Sequence, residues 1–237
     1  MEKPAIFEPD TLGSLPLAAA RYLTHAIRPG TTVPQWVQVD FTGAIRLRPN
    51  RRWLPFNARE VIELLEGFEF TSRAKLGPLH VTDDERYWGG TADTSIRLLG
   101  LIPVSIKRGQ DADRAAASRL IVESVWLPST FLPATGAIWS AEGEILRVRF
   151  SVHGESIEAE IAVRPNGELQ TVRLNRWSDL TRDGTYASTP YAVRVGAERT
   201  FGDCTIPSEL EAFWWAGTDR EFSFFRATVQ RAVFWPT

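Results

Sequence analysis

Along most of the chain apolar and polar residues alternate with a period of two, the signature of strands with one buried face. At 36–41, Val37, Val39 and Phe41 share one face and Trp36, Gln38 and Asp40 the other. Thr42-Gly43 then reads as a turn, and 44–48 as the returning hairpin partner with Ile45 and Leu47 inward. Further strands are predicted at 68–76, 79–87, 91–99 and 101–107, separated by Gly77-Pro78 and Gly89-Gly90. The second half repeats the pattern at 144–152, 157–163, 169–177, 191–197, 200–207 and 222–234, with Asn166-Gly167 as its strongest hairpin signal. Turns roughly 8–12 residues apart mark a sandwich or barrel-like antiparallel sheet. Polar outer rows imply that the sheet has one wet face.

Helical spacing is predicted near residues 13–28, 57–66 and 112–126. The first stripe is Leu15, Ala18, Ala19, Tyr22, Leu23, Ala26 and Ile27, ended by Pro29-Gly30. Asn57 can cap the second, which Gly67 closes. In the third, Asp111 or Asp113 can cap an Ala-rich start, and Leu120, Ile121, Val122, Val125 and Trp126 form the stripe. Pro128 stops it, because the residue before a proline avoids the α region. The segment 127–135, with Phe131 and Leu132 between Pro128 and Pro133, reads as a stiff apolar rim. With no internal repeat or linker, helices early and a β meander late predict one α+β domain spanning residues 1–237.

The most distinctive local block is 118–139. Arg119 and Glu123 lie four apart beside the apolar stripe, so they are neighbours and are expected to form a buried, structural ion pair. Arg119, Glu123, Trp126, Pro128, Ser129, Leu132 and Pro133 follow in an order that resembles the signature of an uncharacterised bacterial family, a domain of unknown function. Trp53-Leu54-Pro55-Phe56-Asn57-Ala58, Gly89-Gly90, and Ile206-Pro207 followed by Trp214 extend the resemblance over most of the chain. It implies no activity for any residue. It does imply a fold: a single large curved antiparallel sheet wrapping about three helices, similar to the half-barrel of bacterial lipoprotein carriers.

Composition narrows the function classes. A net charge of −2 and a pI near 6.0 argue against a general nucleic-acid binder. Cys204 is the sole cysteine, so neither a disulfide within the chain nor a Cys-rich zinc site can form, and a buried inert thiol is expected. His25, His80 and His153 are too scattered to suggest a metal site, and no phosphate loop, dinucleotide fingerprint or nucleophile elbow is present. No cofactor is therefore expected. Asp83-Asp84-Glu85 reads as a solvated acidic run. The start lacks the apolar run of a signal peptide, and no stretch reaches the roughly 18–20 apolar residues that span a bilayer, so a cytoplasmic location is expected.

Nine tryptophans are many for 237 residues. With cleanly alternating strands and few helices to cover them, they predict an apolar concavity lined by Trp88, Trp126, Phe131, Leu132, Trp139 and Trp177. The favoured reading is a binding or carrier protein for a lipid-like or aromatic small molecule, since no polar cluster looks dense enough to select a charged one. The alternatives are an interaction module forming a homo-oligomer, and an enzyme of unrecognised type.

Overall fold

The computed structural model describes residues 5–143, 145–181 and 184–236. Its strands are β1 Trp36–Ile45, β2 Leu54–Glu63, β3 Gly67–Leu76, β4 Leu79–Trp88, β5 Thr91–Leu98 and β6 Ile102–Arg108, then β7 Ile138–Glu142, β8 Ile145–Val152, β9 Glu155–Val163, β10 Leu169–Ser178, β11 Ala187–Phe201, β12 Cys204–Trp214 and β13 Phe222–Trp235. They form one 13-stranded sheet in the order β6-β5-β4-β3-β2-β1-β13-β12-β11-β10-β9-β8-β7, antiparallel throughout. The junction of β1 with β13 joins the two meanders.

Two α-helices accompany the sheet among the described residues, α1 Leu17–Ala26 and α2 Gln110–Glu123, so the fold is mostly β rather than α+β with three helices. The helix expected at 57–66 is instead strand β2. Phe56, Ala58, Glu60 and Ile62 alternate inward there, while Asn57 and Arg59 face water. Glu60 on the inward face broke the apolar alternation, and this left Val61, Ile62, Leu64 and Leu65 to imitate a helical stripe. The hairpin expected at Thr42-Gly43 is also absent: β1 runs straight through it. Gly43 is there for close approach and not for turning. A Cβ on it would lie 2.0 Å from the Arg226 carbonyl oxygen on β13 and 2.7 Å from the Phe56 ring.

The sheet curls on itself. His153, in the β8–β9 turn, hydrogen-bonds through Nε2 to the Glu66 carbonyl in the β2–β3 turn at 2.9 Å. Between β2 and β9 there are six strand spacings, which in a flat sheet would be roughly 29 Å. Lys107 on β6 likewise reaches Asp179, just beyond β10, at 2.5 Å. Inside the curl lie α2 and the segment that follows it. That segment is not a rim: residues 124–135 wind into three short 3₁₀ turns, and Leu127, Phe131 and Leu132 are core. The turns are tied inward by side chains, with Trp126 Nε1 donating to the Pro207 carbonyl at 3.1 Å and Ser129 Oγ to the Pro34 carbonyl at 2.5 Å. Helix α1 packs beside them, where Tyr22 meets Phe131 edge-on at 5.7 Å.

Neither acid in the first turn of α2 caps it. Asp113 accepts the Ala92 amide at 2.7 Å and Asp111 accepts Trp177 Nε1 at 2.7 Å, so both tether the helix to strands.

Candidate functional site

Helix α2 presents Arg119 to the strands β2, β3 and β4. Its guanidinium lies over the rings of Phe68 and Phe70, at 4.7 and 4.6 Å. Its Nη1 meets Glu85 at 2.5 Å and its Nε meets Glu123 at 2.7 Å. The expected Arg119–Glu123 pair is thus present and largely shielded, but it belongs to a larger group that includes Glu60 and Asp83. The parity of the strands brings them together. Asp83 and Glu85 fall on the inward face of β4, and only Asp84 between them faces outward to Arg97 at 3.4 Å.

Glu60 is 0% exposed, and neither of its carboxyl oxygens meets a donor; Oδ1 of Asp83 and Oε2 of Glu123 also lack one. Protons resolve this. Burial, with the charge of Glu123 adding to it, holds the Glu60 carboxyl well above the usual carboxylate range. Burial, followed by the charge of Glu85, pushes Asp83 up to about 8. Protonated, Glu60 donates to Glu123 and Asp83 to Glu85. Burial alone would disfavour the charge on Arg119, but Glu123 and Glu85 outweigh it and hold the guanidinium firmly protonated. Among the described residues no group of His, Cys, Asp or Glu is arranged to hold a metal ion.

Beside this group is a cavity with two adjoining compartments. The first, about 200 Å³, has Asp83, Glu85, Arg119 and Glu123 on one side and Phe70, Trp126, Tyr191, Trp214, Phe224 and Phe225 around the rest. The second, about 310 Å³, runs under Ala112, Ala115 and Ala116 of α2 and past Trp177 to Leu47 and Leu180, where it reaches solvent. Glu85, Arg119, Arg176, Trp214 and Phe224 line both. Together they fall in the range of about 300–1,000 Å³ usual for small-molecule sites. A larger cleft of about 490 Å³ between the start of α2 and β9–β10 is walled by exposed charges such as Glu158, Glu160 and Arg173, and is a surface trough.

Arg176 differs from Lys107 and Arg119, which pair with carboxylates, and from Arg46, whose guanidinium donates to the Ser223 and Pro49 carbonyls. The Arg176 guanidinium lies over Tyr191 at 4.8 Å and Trp214 at 5.2 Å, and among the described residues no carboxylate lies within salt-bridge distance. Its Nε is buried and has no partner.

Of the aromatic and apolar residues expected to line a concavity, Trp126 borders the first compartment and Trp177 the second. Trp88 packs on Trp36 at 5.6 Å, outside the cavity. Phe131 and Leu132 are in the core, and Trp139 closes over Phe131, donating to its carbonyl at 2.8 Å. Sequence reasoning missed Glu60, Arg176 and Tyr191, and took Asp83 and Glu85 for solvated. Cys204 is buried, which pushes its thiol up to about 12.

The profile of a family of unknown function, DUF6544, matches residues 5–227. No curated protein matches the chain. Among solved structures, a LolA superfamily protein from Nitrosomonas europaea is similar at 8% identity and TM-score 0.45, over 91% of this chain and 90% of that one. A DUF1329 family protein from Desulfovibrio piger matches at 9% identity and TM-score 0.39, over 96% and 94%. A β-barrel-like protein of the DUF1849 domain from Brucella abortus matches at 8% and 0.39, over 89% and 100%. At TM-scores below 0.5 these likenesses carry no weight for function, and the cavity has to carry it.

Proposed function

The chain belongs to the DUF6544 family, whose function is unknown, and we propose that it binds a small amphiphile in the cavity, with an apolar or aromatic body against the rings and an anionic head on Arg176. One observation carries the reading: a guanidinium without a carboxylate partner lies over Tyr191 and Trp214 in the wall of the cavity, whose neighbouring carboxylates Glu85 and Glu123 are already engaged by Arg119. Arg176 is half-buried with its Nε fully buried and unpartnered, which is costly, and a ligand carboxylate or sulfonate would complete it with charge-assisted hydrogen bonds. Trp126 and Trp177 contact the ligand body, and Arg119 stays engaged with Glu85 and Glu123.

The test uses laurate and dodecanol, which share a chain length and differ in the head, competing against a fluorescent naphthalene sulfonate. Laurate should displace the probe saturably and more tightly than dodecanol. Arg176→Gln should remove about tenfold to a hundredfold of that preference, the worth of one charged hydrogen-bonded pair at ~1.5–3 kcal/mol. Absence of saturable binding by probe and both competitors would end the carrier reading. Equal affinity for the two competitors would end the assignment of Arg176 alone.

A further inference from the structure

We propose that the end of the sheet formed by the β1–β2 connection and the β3–β4 and β5–β6 hairpin tips docks on an anionic lipid surface. The strand registers bring these tips side by side. Ile45 pairs with Leu54, Phe56 with Ala74, Leu76 with Leu79, Val81 with Leu98, and Leu98 with Ile102. The Leu99 amide also bonds the His80 carbonyl at 2.8 Å, joining the second tip to the third. Six large aliphatic side chains are exposed there: Leu47, Leu76, Leu79, Leu99, Leu101 and Ile102, with Leu101 at 82% and Leu47 at 70%. Isolated exposed leucines need no explanation, but a contiguous group marks an interaction surface.

Leu99 adds a second observation. It sits at φ 55°, in the left-handed region where glycine and asparagine are the usual occupants, and Gly100 follows at φ 73°. A turn of this kind gains nothing in folding from a solvent-facing leucine. An apolar phase that receives the side chain does account for it.

Charge selects the partner. Residues 46–54 contain Arg46, Arg48, Arg51 and Arg52 and no acid, and 73–82 contain Arg73 and Lys75 and no acid, in a chain whose net charge is −2. Arg48, Arg51, Arg52, Arg73 and Lys75 are exposed, and among the described residues none has a carboxylate within 4 Å. Aliphatic tips inside a collar of free cations match the acyl boundary and headgroup layer of an anionic bilayer. A second copy of the chain would bring like charges together. A nucleic acid would be met by exposed leucines where stacking needs aromatic rings, and Trp53 in the β1–β2 connection is already covered by Arg46 at 4.7 Å and Arg226 at 4.5 Å. The second compartment opens at Leu47, so docking turns its mouth toward the lipid.

Sedimentation of the full chain with phosphatidylcholine vesicles, and with vesicles carrying roughly a third phosphatidylglycerol, tests this. Binding should require the anionic lipid and weaken as salt is raised from low to about 0.5 M. Arg48→Ser/Arg51→Ser/Arg52→Ser should lower partitioning roughly a hundredfold, three charges at about 1 kcal/mol each. Leu99→Asn/Leu101→Ser should lower it at least about tenfold. Because asparagine suits the left-handed turn, this variant should unfold no earlier than the parent, and laurate binding in the cavity should be unchanged in both. No sedimentation with anionic vesicles, equal sedimentation with neutral ones, or undiminished binding by both variants overturns the proposal. So does a dimer in light scattering that the leucine variant dissolves. None of these outcomes bears on the cavity.

Discussion

Asp83→Asn examines the buried charge cluster through its protons. The Asp83 carboxyl is pushed to about 8, first by burial and then by the charge of Glu85. In the unfolded chain it ionises near 4. Between about pH 4 and pH 8 the folded chain therefore keeps a proton that the unfolded chain has lost. Where the folded state binds more protons, stability falls as pH rises. At 1.36 kcal/mol per unit over about 4 units, this one group removes roughly 5–6 kcal/mol in all, and roughly 4 kcal/mol of it is gone by pH 7. An asparagine amide donates to Glu85 as the protonated acid does, but does not titrate. Chemical or thermal unfolding of parent and variant at pH 5, 7 and 9 reads the difference. The variant's advantage should grow by roughly 3 kcal/mol from pH 5 to 7, or about 6–12 °C in Tm, and level off above pH 8. The subtraction cancels Asp40, Glu168, Glu211 and Glu221, whose pKa values are lowered and whose contributions are lost only as pH falls. A difference independent of pH, or one that shrinks between pH 5 and 7, would refute a protonated Asp83.

Three further outcomes are expected. Arg119→Ala strands the carboxylates of Glu85 and Glu123 and should cost about 3–5 kcal/mol, read as a fall in the urea midpoint at unchanged slope. Ala116→Phe places a ring in the second compartment and should abolish displacement of the naphthalene sulfonate by laurate, at a stability cost of no more than about 1–3 kcal/mol. Laurate binding to the parent should weaken as pH passes 8 and Asp83 ionises, and Asp83→Asn should make it independent of pH over that range.

Most of the strands were legible because period-two alternation survives wherever the inward face is apolar. It failed at charged inward positions. Glu60 disguised β2 as a helix, and Asp83 and Glu85 read as solvent-facing because an acidic run suggests a turn. The same alternation holds the missing signal. Glu60 shares its parity with Ala58 and Ile62, Glu85 with Tyr87, and Arg176 with Val172 and Leu174. Four charges at core parity on three strands cannot all be buried alone, so they predict a cluster or a cavity. Gly43 shows the other limit. A glycine required by a neighbouring strand's carbonyl looks, in one dimension, like a glycine required by a turn. The curl of the sheet is a third matter, since the contact of His153 with Glu66 depends on accumulated twist that no local pattern encodes.

The cavity and the charge cluster explain each other. Helix α2 turns Ala112, Ala115 and Ala116 toward the second compartment, so methyl groups stand where leucines would have filled the space. An apolar core in place of the cluster would commonly be as stable or more so, which makes a purely structural account of four carboxyls weak. Their arrangement has a definite electrostatic effect at the cavity wall. Arg119 is engaged by Glu85 and Glu123, while protons on Glu60 and Asp83 remove two of the four negative charges. Were all four ionised, they would outnumber Arg119 and Arg176 two to one and repel an anion. With two of them neutral, Arg176, whose guanidinium lies over Tyr191 and Trp214, is left to meet an anion on the proposed reading. On that reading, the buried protons make an anionic head compatible with this wall, and the burial of the Glu60 and Asp83 carboxyls keeps those protons in place.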